Sequence, residues 1–258
     1  MWFRNARVFR FTKPFDISAE ELEEKLQADA FKPCGPQETS RQGWVPPLGK
    51  HGEQLVHSAN GYHLIALRKE EKILPGPVVK EAVEEKAEAI EFEQGRKVRR
   101  KEKDEIKEQV MLEMLPQAFS KNRRSFAYLA PQDGVLVVDA GSAKQAEDLA
   151  STLRKSLGSL PVRPPAVEQA PAFTFTGWLN ESIDLPGRVV LGTECELKDP
   201  SEDGGVVRCK GLDLKADEIR NHLDAGMQAT KLPLHRDDSV PFVVDLSPTH
   251  LRRSRRAL

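Results

Sequence analysis

The residues with the clearest chemical bias in this chain are cations. Arg96, Lys97, Arg99, Arg100, Lys101, Lys103 and Lys107 put seven positive charges into twelve residues, and Lys121, Arg123 and Arg124 follow. Groups at this density suit a polyanion, because each can replace a counterion at a phosphate. The plainer alternative is a solvated helix with i,i+4 pairing, such as Glu93 with Lys97. Against it, Arg99, Arg100 and Lys101 cover nearly every azimuth of a helix with few carboxylates in reach. Phe92 is the only aromatic nearby, so the interleaved aromatics of single-strand binders are missing. Duplex phosphate is the expected ligand.

Other chemistries find little support. Gly43…Gly49-Lys50 has five intervening residues where a phosphate-binding Walker loop has four. It continues into His51, which lacks the hydroxyl that a magnesium ion needs. His51, His57 and His63 recur every six residues, a spacing that suits neither a helix face nor a short strand as a metal site. Cys34, Cys195 and Cys209 form no CxxC pair and leave an odd thiol, so reduced thiols are expected. Adjacent carboxylates such as Glu20/Glu21 and Glu84/Glu85 do not face one another on a helix and make poor acid–base pairs. The expectation is a protein that is not an enzyme, with no catalytic residues, no metal and no cofactor.

The 258 residues allow one large domain or two modest ones. Net charge is only −1, yet charge is segregated: Glu81, Glu84, Glu85, Glu88, Glu91 and Glu93 precede the basic tract. A near-neutral total can therefore hide a strong local field. Charges interrupt the first seven residues where a signal peptide needs an apolar core. No apolar run approaches the roughly 20 residues that span a bilayer. A cytoplasmic protein without membrane contact is the expectation.

The elements that would carry the tract read as α+β. Residues 2–11 alternate as a strand, and Ser18 caps a helix to about Ala30. Phe31–Pro36 is a loop and Gly43–Gly49 a rigid turn, with a strand at His63–Leu67. Val79, Val83, Ala87 and Ile90, then Ile106, Val110 and Met114, recur at helical spacing. They predict two helical stretches, ending near Pro116, that project as an arm. Phe126–Leu129 and Gly134–Asp139 read as strands, and a helix runs from Ser142 to Gly158. The proline-rich stretch 161–171 is a linker or tight crossing. Phe173–Thr176 and Val189–Leu191 read as strands. Residues 206–210 followed by a helix from Leu214 repeat the strand–turn–helix order of residues 6–26. The division expected is 1–75 with 125–165 as a first body, 76–124 as the arm, and 166–258 as a second part. Leu115-Pro116-Gln117-Ala118-Phe119-Ser120 sets an aromatic on a charged arm. It either packs back onto the arm or anchors a partner, with Phe119 at the contact.

Seven phrases resemble the recombination-associated protein RdgC family of bacterial nucleoid proteins. They are Met1–Asn5, Phe31–Gly35, Gly43–Pro47, Arg68–Pro75, Leu115–Ser120, Ser142–Asp148 and Leu153–Pro161, in the family's order. The resemblance implies an α+β fold with antiparallel or mixed sheets, and a homodimer closed into a ring around a positive hole. It implies binding of double-stranded DNA with little sequence preference in the nucleoid, and restraint of RecA-driven strand exchange through the shared DNA. It also implies that family members are not enzymes. By position it makes Arg96 and Lys210, beside Arg208, DNA contacts. It puts Phe119, with Leu115 and Pro116, where two subunits meet. After Phe242–Asp245 the chain departs from the family pattern and reads Leu246 to Leu258, with four arginines in that tail. The rival expectation is an adaptor that acts directly on the recombinase and binds DNA only incidentally.

Overall fold

The structure is a computed structural model that describes residues 3–236, 242–245 and 250–253. In chain order it begins with β1 (Asn5–Phe11), α1 (Ala19–Ala28), β2 (Ser40–Val45), β3 (Val56–Ala59) and β4 (Tyr62–Ile73). Helices α2 (Gly76–Gln94) and α3 (Arg100–Met114) follow, then β5 (Phe119–Ala130), β6 (Val135–Asp139), α4 (Ala143–Leu157) and β7 (Val162–Arg163). The remainder is α5 (Pro171–Leu179), β8 (Val189–Leu191), β9 (Glu194–Lys198), β10 (Val206–Lys210), α6 (Asp217–Asp224), β11 (Gln228–Arg236), β12 (Phe242–Asp245) and β13 (His250–Arg253). The fold is α+β, with six helices among the described residues and antiparallel pairing in each strand ladder given below.

The chain divides into two compact units. One holds the described residues up to Ala19, Ser58–Leu64, and those from Phe126 onward. The other holds Glu20–His57 and Ile65–Ser125.

In the first unit the strands run β10-β9-β11-β12-β13-β1-β6-β5. Phe9, Leu136 and Leu129 stand opposite one another across β1, β6 and β5, and all three are buried. Helix α4 buries Ala146, Leu149, Ala150, Leu153 and Leu157 along one stripe. Ser142 Oγ accepts the Gln145 N–H to start this helix, and left-handed Gly158 ends it. A second cluster joins Phe175 and Leu179 of α5 to Leu197, Ile219, Ala229 and Leu232, with Cys195 and Cys209 paired across β9 and β10. Burial first, and then the neighbouring Cys209, push the Cys195 thiol up to about 12, so these thiols pack as small apolar groups.

In the second unit β2 pairs with β4 from Ser40↔Glu71 to Val45↔Ala66, and β5 lies on the far side of β4. Leu22, Leu26, Trp44 and Ile65 are fully buried. Helices α2 and α3 form a hairpin with a core of its own: Val79, Val83, Ala87, Ile106 and Val110, with Ile90, Met111 and Met114 against it. Lys86 bridges the helices to Glu113 at 2.6 Å.

Three expectations need correction. Gly43–Gly49 is not a turn throughout, since β2 runs through Gly43-Trp44-Val45. A Cβ at Gly43 would lie 2.5 Å from Phe31 Cα, so this glycine serves a close backbone approach. Phe173–Thr176 lies in helix α5, not a strand. Pro171 opens the helix, and burial of Phe175 and Leu179 four residues apart overrides the strand preference of Phe and Thr. Strands β4 and β5 also extend well beyond the segments read from apolar alternation, because their outer halves are polar. In the tail, His250–Arg253 is a strand beside β1, with Asn5↔Arg252 in register. The rest of 246–258 lies outside the described residues, as do Met1 and Trp2.

Candidate nucleic-acid interface

The basic tract spans the hairpin turn and the start of α3. Helix α2 stops at Gly95, whose φ of 62° is left-handed, and the Gly95 N–H donates to Glu91 O at 2.9 Å. The chain turns back through Arg96–Arg99. Val98 N–H donates to Glu91 Oε1 at 2.8 Å, and the apolar Val98 side chain packs on the hairpin core. Two carboxylates are therefore used to build the turn. Glu102 accepts the Arg99 N–H at 2.9 Å and takes both terminal nitrogens of Arg96, at 2.9 and 2.6 Å. The Arg96 guanidinium, then the Arg99 N–H, hold the Glu102 carboxyl at about 2, far below its ordinary range.

Arg96 is thus held by its own chain in a bidentate pair. Lys97, Arg99, Arg100, Lys101 and Lys103 are exposed or half-exposed and are in no ion pair with a described residue. The Glu93–Lys97 helical pair of the plainer alternative does not form, because α2 has ended before Lys97. Arg100, Lys101 and Lys103 also sit in the opening turns of α3, where the helix dipole is positive and cations are disfavoured. The same helix end would favour an anion, and the side chains would reinforce it.

Strand alternation sorts the second basic group. Arg68 Nε donates to Asn122 Oδ1 at 2.9 Å, while its guanidinium lies 4.4 Å over the Phe31 ring. A hydrogen bond from Ser120 helps to hold the Glu70 carboxyl low, after the Cys34 N–H. Ser120 and Asn122 therefore share one face of β5, and Lys121 and Arg123 take the other. There they approach the Glu71 carboxyl, which Lys69 chiefly holds low and to which Arg123 and Lys121 add. Arg124 returns to the first face, beside Gly49. Of the three cations read together from sequence, two share a face and the third does not.

A basic strip also lies in the first unit. Along β10, Arg208 and Lys210 flank buried Cys209 and so face away from the core. Arg208 gives only Nε to Glu196, at 2.9 Å, and its terminal nitrogens have no partner among the described residues, on a side chain that is 69% exposed. Lys231 Nζ reaches the same carboxylate at 2.8 and 3.0 Å, and Thr230 Oγ1 donates to it at 3.1 Å. Burial alone would raise the Glu196 carboxyl. The bonds from Lys231, Arg208 and Thr230 outweigh that and hold it at about 2. Lys231 was not anticipated. It reaches Arg208 only through the β9–β11 ladder, whose bulge between Ala229 and Lys231 has no simple sequence mark.

Leu115 is buried in its own chain, whereas Pro116 is exposed and Phe119 is 85% exposed at the start of β5. The same unit has an apolar groove of 480 Å³, lined by Leu74, Val79, Val83 and Met111 with Lys80 and Lys107. Among the described residues no three His, Cys, Asp or Glu side chains gather in a group that could hold a metal.

A family model described as "Putative exonuclease, RdgC" matches residues 1–253. The Recombination-associated protein RdgC of Aeromonas hydrophila is 52% identical over 256 residues, which cover 98% of this chain and 84% of that protein. Its namesake in Tolumonas auensis is 47% identical over the same length and shares of each chain, and that of Psychromonas ingrahamii is 45% identical over 244 residues, 95% of this chain and 80% of that protein. Matched from end to end of its described residues, and nearly half identical or more to these relatives, this chain belongs to the RdgC family.

Proposed function

We propose that the chain acts in recombination by binding duplex DNA through its phosphates, without sequence preference and without catalysis. The observation that carries this reading is the set of cations Lys97, Arg100, Lys101 and Lys103, in no ion pair among the described residues, with Arg99 beside them, at the turn and N-terminal end of α3. A helix that starts with cations conflicts with its own dipole, and a polyanion resolves the conflict. Arg208 and Lys210, with Lys231, supply a second phosphate-binding strip, and Lys121 and Arg123 a third.

In this reading the protein works as a ring-shaped homodimer in the nucleoid, with the helical hairpin as a projecting arm. Phe119 is the anchor at the arm tips, and the apolar groove beside Met111 is a seat for Phe119 of the second copy. A closed ring restrains RecA-mediated exchange by occupying the duplex, without touching the recombinase. A family description as an exonuclease calls for a direct check. Phosphodiester hydrolysis by metal ions needs a carboxylate cluster, and the described residues have none.

The test combines charge and topology. Arg99, Arg100, Lys101 and Lys103 changed together to Glu severely weaken duplex binding while circular dichroism stays unchanged. The wild type leaves linear duplex faster than closed circular duplex, and Phe119→Ala speeds its escape from the circle. Incubation with end-labelled DNA and magnesium releases no nucleotides. Normal binding by the charge-reversed protein leaves the tract a solvated surface. Equal off-rates on linear and circular DNA leave an open binder in place of a ring.

A further inference from the structure

The hairpin turn carries an aromatic ring that the phosphate reading does not use. Phe92 is 94% exposed, more than any other large apolar side chain described. Its position on α2 explains why. Nine residues after buried Val83, it lies about 180° around the helix from the face that packs on α3. Gly95 ends the helix three residues later, so the ring stands out next to the turn. No neighbouring aromatic or aliphatic side chain contacts it among the ring pairs and clusters of the described residues.

The charges around this ring are unequal. Glu91 and Glu102 are turned inward, onto Val98 N–H and onto Arg96 with Arg99 N–H. Glu88 and Glu93 remain on α2. Lys97, Arg99, Arg100 and Lys101 follow within nine residues of the ring and form no ion pair among the described residues, although the Arg99 charge also acts on Glu102. An apolar protein partner would be met by a patch of apolar side chains, and here there is one flat ring at the end of α2, next to a turn that carries cations. Cations take phosphates and a flat ring takes a base, which together describe a nucleotide. Continuous duplex offers the phosphates but keeps its bases stacked.

We propose that Phe92 is a stacking site for unpaired bases, so that the hairpin favours gapped or single-stranded stretches bordering a duplex over continuous duplex. The proposal rests on the phosphate-binding reading of the tract and adds base chemistry to it. Stacking is tolerant of sequence, because every base has a π-face. A base on an aromatic ring is worth roughly 5- to 150-fold in affinity.

The full chain is titrated by fluorescence anisotropy with continuous duplex, the same duplex carrying a central gap, and the single strand. Wild type is compared with Phe92→Ala, Phe92→Leu and Phe92→Trp. The expected result is tighter binding of gapped DNA by wild type, lost by about 5- to 150-fold in the Ala and Leu variants at unchanged affinity for continuous duplex. Phe92→Trp keeps the preference, and its added indole fluorescence is quenched by gapped DNA. A side chain this exposed can be replaced without loss of folding, which circular dichroism checks. If Leu serves as well as Phe, the contact is merely apolar, as a protein partner would make, and stacking is overturned. Equal affinity of wild type for gapped and continuous duplex overturns the stacking proposal alone. Absence of binding to every DNA overturns the phosphate reading and this proposal with it.

Discussion

Arg96, which the family resemblance makes a DNA contact, and Arg208, the neighbour of Lys210, both sit beside carboxylates, but the two arrangements differ. In the hairpin, Glu102 takes both terminal nitrogens of Arg96 and fastens the turn. On the sheet, Glu196 takes only Nε of Arg208 and leaves the outward fork open. A bidentate partner satisfies the planar face that a phosphate would use, whereas a single bond at Nε orients that face toward solvent. Arg96 is held by Glu102, whereas the outward fork of Arg208 has no partner among the described residues.

Breaking the free charges should have the largest effect. The fourfold reversal of Arg99, Arg100, Lys101 and Lys103 to Glu weakens duplex binding most, measured by anisotropy, while Glu102 still holds Arg96. The hairpin's small core comes next. Ile106→Ala should cost about 2–5 kcal/mol of stability in that hairpin. Amide exchange would then quicken in α2 and α3 and stay unchanged in β9, β10 and β11. Uniform quickening would show that the two regions do not stand independently.

Single arginines sharpen the contrast at smaller scale. Arg208→Ala should flatten the salt dependence of duplex binding by about one unit of slope. Arg96→Ala should change it by much less and instead loosen the turn, visible as faster exchange at Val98 and Arg99. Equal effects at the two sites would erase the distinction. The smallest effect is on the acid side. Glu196 has a folded value of about 2, below its ordinary 4.5, so its carboxylate contributes stability that is full above about pH 4.5. That contribution is lost as pH falls toward 2. A Tm-against-pH profile of Glu196→Gln should be flatter than wild type across that window and parallel to it above. Glu102 is shifted in the same direction, but it is solvent-exposed, and its replacement should flatten the profile less.

Much of the fold could be read in advance where apolar periodicity was strong. The hairpin helices and the Ser142-capped helix follow from spacing that one buried face imposes, and the β1 strand from its period-two aromatics. Phe173–Thr176 misled because aromatic and β-branched residues favour strands until packing on β11 decides otherwise. The outer halves of β4 and β5 were invisible because both their faces are polar. At the site, the density of the tract was plain, but its availability was not. Whether Arg96 is free depends on a chain reversal at Gly95 that brings Glu102 back to it. The tie between Lys231 and Arg208 needs a ladder between strands more than twenty residues apart in sequence.

The most direct test of the account is the slope of log Kobs against log salt for wild type and the fourfold hairpin variant on one duplex. Phosphate neutralisation gives wild type a steep negative slope, about 0.9 for each phosphate contacted. The account predicts that steep line, together with a variant that binds far more weakly on a slope shallower by several units, the remainder belonging to Arg208, Lys210 and Lys231. A wild-type affinity that stays flat with salt, or a variant line that overlays it, would contradict the assignment of these cations to duplex phosphate.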